Sequence, residues 1–275
     1  MLRIDCHQHF WKLDRGDYGW LTLELGVLYR DYLPEDIDAL ISVAGVNSTV
    51  LVQAAATVEE TKFLLSLANQ HEFIAGVVGW VDLESPDCLK DLEELSKHDK
   101  FKGIRPMIQD IVDINWMLKP ELVPALDKVM ELDLCFDALV KPQHLSVLLE
   151  FVKRYPNMPI VIDHGAKPDI IGGEFDEWAI AMKKLSLADN VCCKISGLLT
   201  EAEAGATVDD LKPWVDHLIS CFGAGRLMWG SDWPVLNLAS DYQSWIEMAE
   251  EIFSGISRHD KAYIFGITAS AFYNL

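Results

Sequence analysis

The sequence contains few basic residues for its length. Among 275 residues it has 23 Lys and Arg against 43 Asp and Glu, which gives a formal charge of −20. A surface of that sign repels phosphate groups. We therefore expect no binding to nucleic acids and no attachment to anionic membranes.

We also expect no segment that directs the protein into or across a membrane. No apolar run approaches the roughly 20 residues that span a bilayer. The opening residues, MLRIDCHQHF, contain no apolar stretch followed by a small-residue cleavage site. The six cysteines form no Cys-x-x-Cys pair, and most lie in apolar stretches, as small buried thiols do. We expect a reduced, cytoplasmic protein.

Glycine-rich phosphate loops are absent too, because neither G-x-G-x-x-G nor G-x-x-x-x-G-K-[ST] occurs. Their absence removes the commonest reason to expect an open doubly wound sheet. What the chain does contain is an alternation of short, β-branched apolar runs with amphipathic helical patterns. The eight predicted strands are Arg3–His9, Ser48–Gln53, Ile74–Val81, Gly103–Pro106, Leu134–Ala138, Ile160–Asp163, Val191–Ile195 and Leu227–Trp229.

Continuous apolar runs such as TVLV and AGVVGWV are typical of strands buried on both faces, as in parallel sheets covered by helices. Eight strand–helix units in about 250 residues match a closed (β/α)₈ barrel. No repeat or linker divides the chain. The sequence therefore predicts an α/β protein with one TIM-like barrel domain over residues 1–275.

Two local patterns predict further features, a helix start and a functional loop. Thr57 and Glu60 have the spacing of a capping box at the start of a helix. The segment Trp11–Leu33 is long, irregular and rich in aromatic residues. Loops of that length inside a compact domain are usually functional.

Polar side chains cluster where the predicted strands end. His7 and His9 end the first strand, and side chains two apart on a strand share a face. Asp163-His164 ends the sixth strand, and Asp232 follows the eighth. Active sites of (β/α)₈ barrels lie at the carboxyl ends of the strands. We therefore expect these groups to converge on one site.

Each of these residues also has a simpler interpretation. An isolated H-x-H occurs by chance, and an Asp before Trp-Pro is more often a turn or cap residue than a base. Chance would, however, scatter such groups over both ends of the barrel. Their occurrence at one end of three strands favours a functional site.

Taken together, these motifs resemble the amidohydrolase superfamily. The H-x-H of His7 and His9, the sequence DHGAKP at 163–168 and the sequence GSDWP at 230–234 are similar to the amidohydrolase-2 branch. That branch includes sugar lactonases, such as L-fuconolactonase and L-rhamnonolactonase, and pyrone-dicarboxylate lactonase. The resemblance covers the whole chain from residue 4 onward.

Two departures from the superfamily pattern bear on metal binding. Arg105 stands at the end of the fourth strand, where many amidohydrolases have a carboxylated lysine that bridges two metals. The segment Asp137-Ala138-Leu139 stands where mononuclear members often have a histidine. A two-metal site is therefore not expected.

The resemblance implies a role for each strand-end group. Asp232 would be the base that deprotonates water, while His164 and Arg105 would polarise the carbonyl or hold the substrate. His7, His9 and Asp232 would be the ligands of one divalent metal, with zinc favoured by imidazole donors. Some members work without metal, and His7 and His9 would then act as hydrogen-bond donors.

Further residues at or beyond strand ends are candidates for contact with substrate. They are Trp11, Gln53, Trp80, Lys194 and Trp233. Aromatic faces suit sugar rings, although a place in the core is at least as common for tryptophan. For Lys194, contact with substrate and a place at the end of its strand are both open.

Three alternative functions are compatible with these motifs. The first is a hydrolase of carbohydrate metabolism that opens a small sugar-acid lactone, with Asp232 activating water. The second is a zinc-dependent decarboxylase of the same superfamily, and the third is a non-catalytic binding barrel. The D-H-x-x-K-P and G-S-D-W-P motifs favour the lactonase. A neutral lactone also suits the negative chain, whose field would help to expel an anionic product. The particular lactone, its ring size and stereochemistry, and the oligomeric state are left open.

Overall fold

Eight parallel strands form one sheet in the computed structural model, which describes residues 1–275. Each strand pairs with the next in chain order, which confirms the predicted (β/α)₈ barrel. The strands are β1 (Ile4–Gln8), β2 (Ser48–Val52), β3 (Ile74–Gly79), β4 (Phe101–Ile104), β5 (Cys135–Ala138), β6 (Ile160–Ile162), β7 (Val191–Ile195) and β8 (Leu227–Trp229).

Helices follow the strands around the outside of the barrel. They are α1 (Pro34–Ala44), α2 (Val58–Gln70), α3 (Cys88–Leu95), α4 (Val123–Glu131), α5 (Leu145–Arg154), α6 (Phe175–Leu185), α7 (Val208–Phe222), α8 (Tyr242–Ile252), α9 (Arg258–Ala262) and α10 (Thr268–Phe272). None of them has the length and apolar character to cross a membrane.

The barrel closes between β8 and β1 just beyond the end of β8. The backbone N–H of Asp232 donates to the His7 carbonyl (2.7 Å), and the N–H of His9 donates to the Trp233 carbonyl (2.7 Å). On the same seam, the buried carboxylate of Asp5 accepts from the Ser231 N–H (2.8 Å). These bonds set the first and last strand ends side by side.

Two apolar cores result from the alternation of side chains along the strands. The larger contains 73 buried residues between the sheet and the helices. The smaller contains residues of the strands that face the barrel axis, including Cys6, Val161 and Met228, together with Ala269 and Tyr273. The C-terminal segment therefore reaches the inner core of the barrel.

A bulge interrupts the alternation in β1. Pairing with β2 shifts register between Asp5 and Gln8, so three residue steps on β1 oppose two on β2. A bulge re-aims the side chains that follow it. Cys6 lies in the inner core, and His7, the next residue, also faces the interior groups of the barrel.

Two helical segments, the start of α2 and the C-terminal helices, depart from the simplest geometry. The Thr57 side chain caps α2 by accepting from the Glu60 N–H (3.0 Å), but the Glu60 carboxylate accepts from the Ala54 N–H (2.9 Å) and does not complete the capping box. The final helical segment begins at Arg258 and continues through a π-helical turn at Tyr263–Ile267 to Phe272. That continuation brings apolar C-terminal side chains to the inner core.

Burial of Glu60 gives the protein a pH-dependent stability. Burial raises the pKa of this fully buried carboxyl to about 8, although backbone N–H groups of Ala54 and Ala55 oppose the shift. The folded state then binds a proton that the unfolded state has lost, so stability falls as pH rises from about 4.5 to 8.

We expect Glu60→Gln to flatten this dependence. Urea unfolding at pH 5 and pH 8.5 should show a smaller loss of unfolding free energy in the variant than in the wild type. Glu59→Gln, at the exposed neighbouring position, should retain the wild-type slope. Equal slopes for the wild type and Glu60→Gln would contradict the raised pKa.

Candidate active site

A cavity of about 210 Å³ opens at the carboxyl ends of the strands. It is smaller than the roughly 300–1,000 Å³ clefts that hold drug-sized ligands. The residues that line it are His9, Trp20, Ala54, Arg105, Met107, Gln109, Asp110, Leu139, His164, Lys167, Asp232 and Val235. The lining has an apolar part and a densely polar part, which suits a small ring that bears hydroxyl groups.

Three imidazoles surround one carboxylate oxygen at the base of this cavity. His9 Nε2 lies 3.2 Å from Asp232 Oδ1, His7 Nε2 lies 3.6 Å from it, and His164 Nε2 lies 3.9 Å from it. The two β1 imidazoles are themselves close, with 3.2 Å between their Nε2 atoms. The strand-end groups therefore converge as expected.

The backbone after β6 adopts an uncommon conformation to present His164. His164, Ala166 and Lys167 all have positive φ angles of 49–65°, a region that costs non-glycine residues energy and that recurs at functional sites. The His164 ring is held by the Ser196 hydroxyl, 2.9 Å from Nδ1. This arrangement turns Nε2 toward Asp232.

The donor atoms fit a divalent metal ion. Because a carbonyl can only accept, His9 Nδ1–H donates to the Val52 carbonyl (2.8 Å), and its Nε2 atom faces Asp232 Oδ1. An imidazole nitrogen and a carboxylate oxygen 3.2 Å apart need a cation or proton between them. Ligands at 2.0–2.1 Å from a tetrahedral zinc are roughly 3.3 Å apart, close to the spacing of the His7, His9 and Asp232 atoms.

Protonation states favour a carboxylate beside a neutral imidazole. Burial lowers the pKa of His164 to about 4, against the opposing effect of Asp232. Burial would raise the pKa of Asp232, but the surrounding imidazoles of His164, His9 and His7 outweigh it and hold that pKa well below its usual range. Asp232 is therefore ionised at neutral pH and His164 is neutral.

A second group of possible ligands, His7, Asp163 and His164, is less suited to a metal. A buried cation, Lys194, already lies 3.0 Å from Asp163 Oδ1, and Arg105 Nη1 lies 3.5 Å from the other oxygen. Burial would raise the pKa of Asp163, yet Lys194 and His7 outweigh it and hold the pKa well below its ordinary value. Asp163 thus serves as the counter-ion of two cations.

The predicted site residues fall into two sets. His9, Arg105, His164 and Asp232 line the cavity, and His7 lies against them. The predicted substrate contacts Trp11, Gln53, Trp80, Lys194 and Trp233 are not part of the lining.

Packing explains where those five side chains lie. Trp11 is fully buried between Trp20 and Tyr32, and Trp233 packs against Tyr32. The Gln53 side-chain Nε2–H donates to the Arg105 carbonyl (2.7 Å). Trp80 is half-buried at the end of β3, and its backbone N–H donates to Thr61 (2.8 Å). Lys194 is fully buried in an ion pair with Asp137 (2.6 Å).

Several lining residues were not predicted. Trp20, and not Trp11, is the aromatic residue of the long loop that reaches the cavity, where its Nε1–H donates to the Ala54 carbonyl (2.7 Å). Lys167 lies in the DHGAKP motif, and its place in that motif could have predicted its position in the cavity lining. Met107, Gln109 and Asp110 follow the predicted fourth strand with no distinguishing pattern.

A family model described as amidohydrolase matches residues 4–275, and the chain belongs to that family. This confirms the resemblance. Among named relatives, an L-fucono-1,5-lactonase of Burkholderia ambifaria is 45% identical over 99% of this chain and 96% of its own length. An L-fucono-1,5-lactonase of Burkholderia multivorans is 35% identical over 100% of this chain and 96% of its own.

Solved structures agree with this placement. An amidohydrolase from Burkholderia multivorans with bound zinc has a TM-score of 0.94 and 34% identity, with 100% of both chains covered. A 2,6-dihydroxybenzoate decarboxylase has a TM-score of 0.69 at 14% identity, over 100% of both chains. The second likeness shows the barrel fold alone.

Gly197 offers a test of the geometry around His164. Its φ is +62°, and a Cβ added there would lie 2.6 Å from His164 Nδ1. We expect Gly197→Ala to displace the His164 ring. The kcat/KM for lactone hydrolysis should then fall by about 10²-fold, because a shift of about 1 Å in an active site can cost that much.

Gly205→Ala is the matched control. Gly205 also has a positive φ of +83°, but nothing lies within 4 Å of an added Cβ. Both variants should lose about 1–2 kcal/mol of stability to backbone strain, whereas steady-state kinetics should show a loss only for Gly197→Ala. Full activity in that variant would contradict the placement of His164.

Proposed function

We propose that the cavity binds L-fucono-1,5-lactone or a closely similar sugar-acid lactone and that Asp232 activates the water that opens it. The broader prediction, a sugar-lactone hydrolase of the amidohydrolase superfamily, is confirmed by two lactonases that match nearly the whole chain. The observation that carries the proposed mechanism is the convergence of Asp232 with three imidazoles at the cavity base.

The proposed reaction begins with proton transfer to Asp232. Its carboxylate, ionised at neutral pH, takes a proton from water as the water oxygen attacks the lactone carbonyl carbon. Arg105 and His164 lie in the cavity lining and stabilise the charge that develops on the carbonyl oxygen. The ring C–O bond then breaks, and the proton passes from Asp232 to the departing ring oxygen. The product is an open-chain hydroxy acid.

His7, His9 and Asp232 would hold the divalent metal, which we propose to be zinc. A bound metal of this kind polarises a carbonyl and lowers the pKa of water toward about 7. The guanidinium of Arg105, whose Nη1 lies 3.3 Å from His7 Nε2, also places positive charge beside these residues. Positive charge from the metal or from Arg105 would polarise the carbonyl of the lactone ester.

Substrate contacts are divided between two sides of the cavity. Trp20, Ala54 and Met107 form an apolar wall beside β2 and β4, which suits the C–H face of a sugar ring. Gln109 and Asp110 supply hydrogen-bonding groups for hydroxyls, and Lys167 adds a positive charge. We propose that Trp20 takes the substrate role expected of Trp11.

Replacement of Asp232 tests the catalytic role. We expect Asp232→Asn to lower kcat on L-fucono-1,5-lactone by about 10³-fold, since an amide cannot act as the base. A pH-indicator assay over a panel of five- and six-membered aldonolactones measures this. Asp127→Asn, on the exposed surface of α4, should keep wild-type activity. If no lactone is opened while an aromatic carboxylic acid releases CO₂, the decarboxylase hypothesis replaces the lactonase hypothesis.

Chelation tests the metal. We expect one equivalent of zinc in the purified protein and at least roughly 10-fold lower activity after its removal, because the metal then no longer activates water. Elemental analysis before and after chelator treatment, followed by readdition of Zn²⁺, checks both points. His9→Gln should lower zinc content. Full activity in metal-free protein would assign His7 and His9 the role of hydrogen-bond donors.

Trp20 provides a test of substrate contact. An aromatic contact contributes about 0.5–1.5 kcal/mol, so Trp20→Ala should raise KM about 3- to 10-fold with a smaller change in kcat. Trp20→Phe should retain most of the affinity. Tyr29→Ala is the control, because Tyr29 lies on the same loop at 39% exposure, close to the 38% of Trp20, without lining the cavity. An unchanged KM in Trp20→Ala would refute the contact.

A further inference from the structure

A line of buried polar side chains runs from the C-terminal segment to the base of the cavity. The Tyr273 hydroxyl donates to Asp137 Oδ2 (2.7 Å), and Lys194 Nζ donates to the same oxygen (2.6 Å). Lys194 Nζ also lies 3.1 Å from His7 Nδ1 and 3.0 Å from Asp163 Oδ1. Tyr273 is 1% exposed, and the other four residues are fully buried.

Strand alternation places these charges directly above the inner apolar core. Cys135 and Cys192 belong to that core, and Asp137 and Lys194 follow each of them by two residues. Side chains two apart share a face, so the ion pair occupies the next layer toward the cavity. Tyr273 reaches it from the opposite end of the barrel.

The line ends on two residues that face the cavity or its base. Through Lys194 it contacts the far nitrogen of His7, whose Nε2 approaches Asp232. Through Asp163 it reaches Arg105, whose Nη1 lies 3.5 Å from Asp163 Oδ2. A buried charged group with several partners has few alternative positions, because leaving any partner unpaired is costly.

We propose that Tyr273, Asp137 and Lys194 are positioning residues for the hydrolysis reaction. The C-terminal tyrosine holds Asp137, Asp137 holds Lys194, and Lys194 sets the positions of His7 and Asp163. None of the three lines the cavity, so they act on the reacting groups only through their neighbours. The inference rests on the proposed lactone hydrolysis for its assay.

Tyr273→Phe tests this chain with the smallest change. It removes one hydroxyl and keeps the ring, which lies 5.5 Å from Lys194 Nζ. We expect kcat on L-fucono-1,5-lactone to fall by roughly 10-fold, as for other partners that orient active-site ligands. KM should change less than about twofold, because the cavity lining is intact.

Lys102→Met is the matched control for the C-terminal segment. Lys102 Nζ donates to the Asn274 carbonyl (2.9 Å) and touches none of the buried charges. This variant loosens the same segment, so a purely structural effect would lower the melting temperature of both variants and leave both kcat values alone. The proposal expects kcat to fall in Tyr273→Phe only.

A charge-balanced pair of variants tests Lys194 itself. Lys194→Met alone leaves the buried carboxylate of Asp137 without its cation and leaves Asp163 with Arg105 alone, so this variant is expected to fold poorly. Lys194→Met combined with Asp137→Asn removes one charge of each sign and should fold. Its kcat should fall at least as far as that of Tyr273→Phe, again with little change in KM.

The outcomes separate this inference from the proposed function. Wild-type kcat in both Tyr273→Phe and the double variant overturns the positioning role, while loss of activity in Asp232→Asn still supports lactone hydrolysis. A rise in KM with unchanged kcat also overturns it, because it would place the effect in substrate binding. Absence of lactone hydrolysis in the wild type instead refutes the proposed function.

Discussion

The site depends on the closure of the barrel between its last and first strands. Two short backbone hydrogen bonds, from Asp232 to His7 and from His9 to Trp233, join these strand ends. They bring the Asp232 carboxylate to His9, although the two residues are 223 positions apart in the chain. The Asp5 carboxylate reinforces the seam by accepting from Ser231. Without that seam Asp232 and His9 would lie at opposite edges of an open sheet.

Charge compensation is the second constraint on this barrel. The buried carboxylates of Asp137 and Asp163 lie close to the cations Lys194 and Arg105, whereas the carboxylate of Asp232 faces imidazoles. Buried charges of one sign are tolerated only when paired, so these groups stabilise one another in a fixed arrangement. The ion-pair neighbours of Asp232 are imidazoles, which suits a metal ion or a proton at its carboxylate. The charged layer beneath the cavity thus stabilises the fold and also sets the charge at the base of the cavity.

Much of the fold and of the polar cavity lining could be predicted because the relevant signals are local. Apolar runs mark strands, helical periodicity marks the outer layer, and polar residues at strand ends identify His9, Arg105, His164 and Asp232. The aromatic part of the cavity lining could not be predicted in this way. Trp11 and Trp20 lie in one loop with the same chemistry, and only packing against Tyr32 buries the first and leaves the second at the cavity.

The sequence by itself determined the barrel class and the polar groups of the cavity, because strand periodicity and residue type are properties of neighbouring positions. The tertiary structure alone decided which side chains meet. The bulge in β1 lets both Cys6 and His7 face inward, and the C-terminal turn brings Tyr273 to Asp137 across 136 positions. Lys194 becomes a buried ion-pair partner outside the cavity lining, because two carboxylates from other strands surround it. Such contacts depend on the packing of distant segments, which no local pattern encodes.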